Sequence, residues 1–213
     1  MSNRAAIITL FVLITNVVTT YVFDLHFTKA PLNADISLSS TEQETFNIFI
    51  PMQQKYDVKI LFAREDKDFE YLQNTIGPMT HPEYKGFPLL LEWEIIKDNI
   101  EIKTNKTSSN DSCGWSNTHV YRCYGDFILP RGNYQFNIRV LNVDTELTKF
   151  KTKLTINYNF KNAHTWQTAY IFWGSVFNLF IAPILGGVIL LILLVRLYKH
   201  LTSSSSGRKK HAA

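Results

Sequence analysis

Glu92 and Glu94, two residues apart in LLLEWEI, are the nearest approach in this chain to a pair of acid/base carboxylates. Residues two apart on a strand point the same way, so both could face one substrate. Acid/base catalysis also needs surroundings that drive the two pKa values apart. Leu89, Leu91, Trp93 and Ile95 alternate with the two glutamates, which leaves Glu92 and Glu94 on a solvated strand face. His81 and His119 have no partners at metal-ligand spacing. No nucleophile elbow, phosphate-cradling loop or dinucleotide fingerprint occurs in the sequence. The residue chemistry therefore predicts a non-enzymatic chain with no catalytic residues, no metal and no cofactor.

The remaining chemistry is that of the thiols. Cys113 and Cys123 are the only cysteines, and in an oxidising compartment such a pair is expected to close. A disulfide across so short a loop stabilises by roughly 3 kcal/mol in the chain-entropy picture. It would staple CGWSNTHVYRC, followed by Tyr124. Trp, Tyr and Arg are enriched where interface binding energy concentrates, so Trp115, Tyr121, Arg122 and Tyr124 form the candidate protein-binding set. In the competing reading Trp115 and Tyr121 cap a core and Arg122 faces water.

Two apolar runs position this segment. Residues 169–195 contain no ionisable side chain except Tyr170 and Tyr198 lies beyond them; such a length exceeds the roughly 20 helical residues that cross a bilayer. Trp166, Tyr170 and Trp173 stand at its upstream end, where aromatic rings favour the interface, and Arg196, Lys199, Arg208, Lys209 and Lys210 follow downstream. Pro183 is expected to bend this span. Residues 5–23 repeat the apolar pattern after Arg4. An uncleaved anchor is the reading adopted for them, and a cleaved signal peptide is the rival. Gly174, Asn178, Ala182 and Gly186 recur every fourth residue, a small-residue row that predicts helix packing, within one chain or between copies in a homo-oligomer. Thr9, Asn16 and Thr20 share one face of the first run.

The formal charge is +4, but residues 24–168 hold 16 of the 22 basic side chains and all 18 acidic ones, a net of −2. The basic excess thus lies in the flanks. It reports orientation relative to a lipid bilayer rather than nucleic-acid binding. Both tails are expected in the cytoplasm, with the middle segment outside. A glycosylated eukaryotic secretory-pathway protein is the alternative, since Asn105-Lys-Thr and Asn110-Asp-Ser match the acceptor pattern.

Between the apolar runs, alternation with a period of two recurs. Phe46, Ile48 and Ile50 form one buried set; Tyr56, Val58, Ile60 and Phe62 form the next, after a hairpin-like turn at PMQQKY. REDKDFEYLQN predicts a short helix, and residues 104–117 read as irregular. Leu129-Pro-Arg-Gly-Asn-Tyr134 resembles the tyrosine corner of immunoglobulin-like and fibronectin-type domains. The expected fold is an all-β, immunoglobulin-like antiparallel β-sandwich of seven or eight strands flanked by two transmembrane helices. Its parts are a cytoplasmic N-terminus (1–4), a signal anchor (5–23) and a tether with a first short strand (24–44). The β-sandwich (45–161), a juxtamembrane link (162–168), the second helix (169–195) and a basic cytoplasmic tail (196–213) follow.

FNIFIPMQQKYDVKILFAR, GFPLLLEWEI and ILPRGNYQFNIRVLNVD, followed by a last strand and a lysine, also resemble a little-characterised family of small bacterial envelope domains of unknown function. The resemblance covers most of residues 45–161 and marks no residue as catalytic. It implies a bacterial inner membrane with the middle segment periplasmic and a partner protein there, with neutralisation of a periplasm-acting toxin as the sharpest form. An accessory subunit that docks in a membrane complex through its helices is the alternative.

Overall fold

The computed structural model describes residues 2–79, 83–158 and 165–208. Its elements are α1 (Asn3–Phe27), β1 (Leu32–Ile36), β2 (Glu44–Ile50), β3 (Gln54–Ala63), α2 (Phe69–Ile76), β4 (Leu89–Lys97), β5 (Ile100–Ser109), β6 (Gly114–Trp115), β7 (His119–Leu129), β8 (Gly132–Val143), β9 (Thr152–Tyr158), α3 (Trp166–Phe180) and α4 (Ala182–Arg208). They divide into two units, Met1–Leu25 with Trp166–Ala213, and His26–Thr165.

The second unit is two antiparallel sheets over one hydrophobic core, ordered β1-β9-β3-β7-β6 and β2-β8-β4-β5. The alternation read from the sequence sets the inner faces. Tyr56, Val58, Ile60 and Phe62 of β3 are buried, as are Leu89, Leu91, Trp93 and Ile95 of β4. Asp98 and Asn99 close the β4–β5 hairpin with φ of 52° and 62°, the left-handed conformation that a two-residue turn of this hand requires. Asp68 caps α2, its carboxylate accepting from the Tyr71 backbone N–H at 2.7 Å.

The strand order departs from the immunoglobulin expectation. That order sets the first strand beside the second, whereas β1 and β2 lie in different sheets. Instead the pairs nest: β4 with β5, β3 with β7, β2 with β8 and β1 with β9. This is one long hairpin rolled into two layers, the connectivity of a jelly roll. PMQQKY is accordingly no hairpin turn. It carries the chain from one sheet to the other, because Pro51 cannot donate to a ladder and ends β2. Nine strands occur among the described residues, more than the seven or eight expected. The difference comes from residues 104–117, read as irregular, through which β5 runs on to Ser109 and where β6 lies. As an outer strand none of whose side chains is fully buried, β5 carries only a faint alternation at Asn105, Thr107 and Ser109. β1 pairs with β9 from Leu32 to Ile36, so the sheet begins well before residue 45.

The tyrosine signal is nonetheless real at the local level. The Tyr134 hydroxyl donates to the Pro130 carbonyl at 2.9 Å, and Tyr56 does the same to the Met52 carbonyl at 3.0 Å, each bridging four residues back. Tyr134→Phe should lower stability by about 1 kcal/mol, read as a drop in urea midpoint at unchanged m-value.

In the first unit, α1 and α4 are each long and apolar enough to cross a membrane. The 169–195 run is not one helix. It breaks at Ile181, between α3 and α4, where Pro183 lacks an N–H to continue the ladder. Both helices run antiparallel to α1. Ala6 and Leu13 are buried with Ala182 and Ile189, and Arg196 donates to the Asn3 side-chain carbonyl at 2.7 Å.

Candidate functional site

The stapled segment begins at the disulfide, Cys113–Cys123, with Cα atoms 5.8 Å apart. β6 is only two residues long and pairs with β7 alone, through Gly114 with Tyr121 and Trp115 with Val120. So short a strand has little hold by itself, and further bonds fix it. The Cys113 N–H donates to the Tyr121 carbonyl and the Ser116 N–H to the His119 carbonyl, both at 2.8 Å. Ser116 Oγ accepts from the N–H groups of Thr118 and His119, and Arg64 donates to the Ser116 carbonyl at 2.9 Å. On this framework Trp115 is 47% exposed.

The other members of the candidate set do not share its surface. Arg122 and Tyr124 follow Val120 on the inward face of β7 and are 0% exposed. Tyr121 is half-buried and points to the opposite face. The expectation of one Trp–Tyr–Arg–Tyr contact patch is therefore corrected to Trp115 at the surface, Tyr121 on the other side of the sheet and Arg122 and Tyr124 in the core. Arg122 does not face water either.

What Arg122 does is hold loops. Its Nε donates to the Ile76 carbonyl at 2.6 Å, Nη1 to Phe87 at 2.7 Å and Ser109 at 2.9 Å, and Nη2 to Thr75 at 3.2 Å. Four carbonyls from three separate segments converge on one fork, a geometry that suits guanidinium and not ammonium. Two of them, Thr75 and Ile76, belong to the last turn of α2, the negative end of the helix dipole, which favours the buried cation. Gly86 lets the loop come this close, since a Cβ there would lie 2.6 Å from Nη2 and 2.5 Å from the Ile76 carbonyl carbon. Burial nevertheless pulls the Arg122 pKa below its usual value, with the neighbouring Tyr124 opposing. Phe62 lies under the guanidinium, 5.5 Å from ring centroid to Cζ.

Burial pushes the Tyr124 and Tyr56 phenols up to about 12, because their phenolates would lose hydration. Their folded pKa values exceed the unfolded ones. The neutral phenols thus contribute fully below about pH 10, and that stability declines as pH rises from about 10 through 12. In a spectrophotometric titration, these two rings should ionise last and together with loss of near-UV dichroism.

Glu92 and Glu94 both point outward on β4. His119 is half-buried, its Nδ1 2.8 Å from Thr118 Oγ1, and His81 lies outside the described residues. Asn105 turns inward and donates to the Tyr124 carbonyl at 2.9 Å, so its amide is already engaged in the folded chain. Three members of the small-residue row meet α1. A Cβ on Gly174 would lie 2.8 Å from Thr20 Oγ1, Asn178 Oδ1 accepts from Asn16 Nδ2 at 2.9 Å, and Ala182 is buried beside Leu13. Tyr170 extends this apolar-embedded polar cluster, donating to Asn16 Oδ1 at 3.3 Å. Gly186 faces open space.

Sequence reasoning passed over Arg122 as a core residue and Asn137 as a buried amide. The signal for Arg122 was its place in the inward rhythm Val120, Arg122, Tyr124; an arginine in a buried register marks converging carbonyls.

No family model and no curated protein matches the chain. Among solved structures, a protein from Sulfurospirillum deleyianum is similar at 19% identity and a TM-score of 0.46, over 62% of this chain and 98% of that one. The pre-peptidase C-terminal domain of a collagenase from Bacillus anthracis is similar at 11% identity and a TM-score of 0.31, over 60% of this chain and 90% of that one. Neither score is high enough to assign a shared fold.

Proposed function

We propose that this chain is a non-enzymatic protein of the bacterial inner membrane that displays its β-domain to the periplasm and binds another protein there through the surface around Trp115. The supporting observation is the half-exposed Trp115, held in advance by a disulfide, a hydrogen-bonded turn and Arg64. Ordering such a side chain before association reduces the entropy lost on binding, and tryptophan leads among interface anchors. Neutralisation of a periplasm-acting toxin is the sharpest form of this reading, in keeping with the resemblance to bacterial envelope domains. The disulfide accords with an oxidising compartment, and the basic residues after the second apolar run accord with both tails inside.

The competing reading, an accessory subunit docked through its helices, loses part of its motive. Gly174, Asn178 and Ala182 meet the chain's own first helix, and Gly186 and Gly187 are left open.

The test is co-purification of the full-length chain with the product of an adjacent gene, with protection scored when that product is directed to the periplasm. Binding and protection that both fall at least tenfold in Trp115→Ala are expected. No binding to any neighbouring product, or binding indifferent to Trp115→Ala but lost in Gly186→Leu/Gly187→Leu, would transfer the role to the helices. Compartment is tested separately, by a membrane-impermeant thiol reagent on cysteines placed at Ser2 and Thr145 in the Cys113→Ser/Cys123→Ser background. Thr145 should label in intact cells and Ser2 should not.

A further inference from the structure

The outward face of β2-β8-β4-β5 is more ordered than solvation requires. Asn137 is 3% exposed although it points away from the core. Its Nδ2 donates to Glu94 Oε1 at 2.7 Å, and its Oδ1 accepts from Thr45 at 2.9 Å and Gln135 at 3.1 Å. Gln43 adds a longer contact to the same Glu94 oxygen at 3.5 Å and accepts from Arg139 at 3.4 Å. The network spans three strands and fixes Glu94 through one oxygen. Among the described residues, no hydrogen bond is made to its other oxygen, which stays available as an acceptor.

Two hollows lie side by side along this face. One of about 220 Å³ is lined by Glu92, Glu94, Glu101, Asn137 and Arg139; the other, about 410 Å³, by Asn47, Phe49, Asn133 and Gln135. From Asn133 to Arg139 the row runs about 20 Å along β8. The side chains identify the occupant. Protein interfaces concentrate Trp, Tyr, Met and Arg and lose Glu, and this face has three glutamates and no outward Trp, Tyr or Met among its described residues. Phosphate polymers need net positive charge, yet Glu92, Glu94, Asp98 and Glu101 balance Lys97, Lys106, Arg131 and Arg139 around the two hollows. Amides and carboxylates with paired donors and acceptors suit vicinal hydroxyls instead. Phe49 is half-exposed at the rim with the Arg131 guanidinium over its ring at 5.7 Å, and the part of such a ring that stays exposed packs against the C–H side of a sugar.

We infer that this face binds an uncharged oligosaccharide, with Glu94 and Arg139 as the principal contacts and Asn137 as the residue that positions Glu94. The site is separate from the Trp115 surface. The experiment uses the full-length chain in a phosphocholine detergent, which avoids sugar-headed competitors, and calorimetric titration with chitotetraose and with cellotetraose. Saturable binding of at least one sugar is expected, weakened at least tenfold in both Glu94→Gln and Arg139→Met and unchanged in Trp115→Ala. Glu94→Gln keeps the acceptor for Asn137, and near-UV dichroism checks that the variants are folded. Binding of neither sugar, binding undiminished in the folded variants, or a tetralysine peptide binding more tightly than either sugar would overturn the assignment. Because Trp115→Ala leaves this readout untouched, failure here and failure of the protein-binding role are distinguishable.

Discussion

Replacing Arg122 with methionine should cost the β-domain about 3–5 kcal/mol, the largest effect expected of any single substitution in it. Two opposing quantities set the size. Removing the guanidinium relieves a desolvation penalty of several kcal/mol. It also leaves the Ile76, Phe87 and Ser109 carbonyls without this donor, whereas Thr75 keeps the Phe87 N–H at 2.9 Å, in surroundings where each unsatisfied polar group costs about 1–3 kcal/mol. The carbonyls prevail because they come from three segments, Thr75–Ile76, Phe87 and Ser109, that the one guanidinium on β7 ties together. Arg122→Lys keeps the charge and loses the fork, so it should fall between wild type and the methionine variant. Urea unfolding of the full chain in detergent, followed by Trp93 and Trp115 fluorescence, reads both. If both variants lie within about 1 kcal/mol of wild type, the loops are held by something else.

Opening the disulfide should have the second largest effect. Cys113→Ala with Cys123→Ala is expected to cost roughly 3 kcal/mol in the chain-entropy picture. The loss should concentrate in one place, since β6 has two residues and one neighbour, whereas β7 is paired with β3 over nine positions. Hydrogen exchange should therefore quicken across residues 113–118 by more than tenfold while the β3–β7 amides keep their protection. Uniform acceleration across the sheet would mean that the bridge supports the whole domain and not its hairpin. Trp115→Ala binding and this exchange pattern are linked, because the surface proposed for partner capture is the part that the bridge holds still.

How much of this could be read in advance depended on the kind of interaction. Burial alternation in β3, β4 and β8 was legible because a strand packed on one side repeats every two residues. β5 was not, since none of its side chains is fully buried and polarity alone looks like loop. The Tyr134 corner was visible as a short-range pattern and did form its bond to Pro130, yet it misdirected the topology. A contact four residues long constrains a turn and is silent on which sheet the next strand joins. Arg122 was misjudged from residue type: interface statistics favour arginine, but its partners are backbone carbonyls, and carbonyls are present at every position and mark none. The outer-face network was illegible for a related reason. Asn137, Glu94 and Thr45 come from three strands and meet only through the register of β2, β8 and β4.

Nested pairing also sets an order of events during synthesis. β1 is made first of the strands and needs β9, which is made last, immediately before the chain enters its final helices. Chains whose contacts join distant positions fold slowly, and here the ribosome must emit some 120 residues between the two partners. Until then the early strands have unpaired edges, a period in which chaperones and proteases have access to them. A transcript cut short before Thr152 should leave β1 without its neighbour and give a product that is degraded rather than a smaller folded domain.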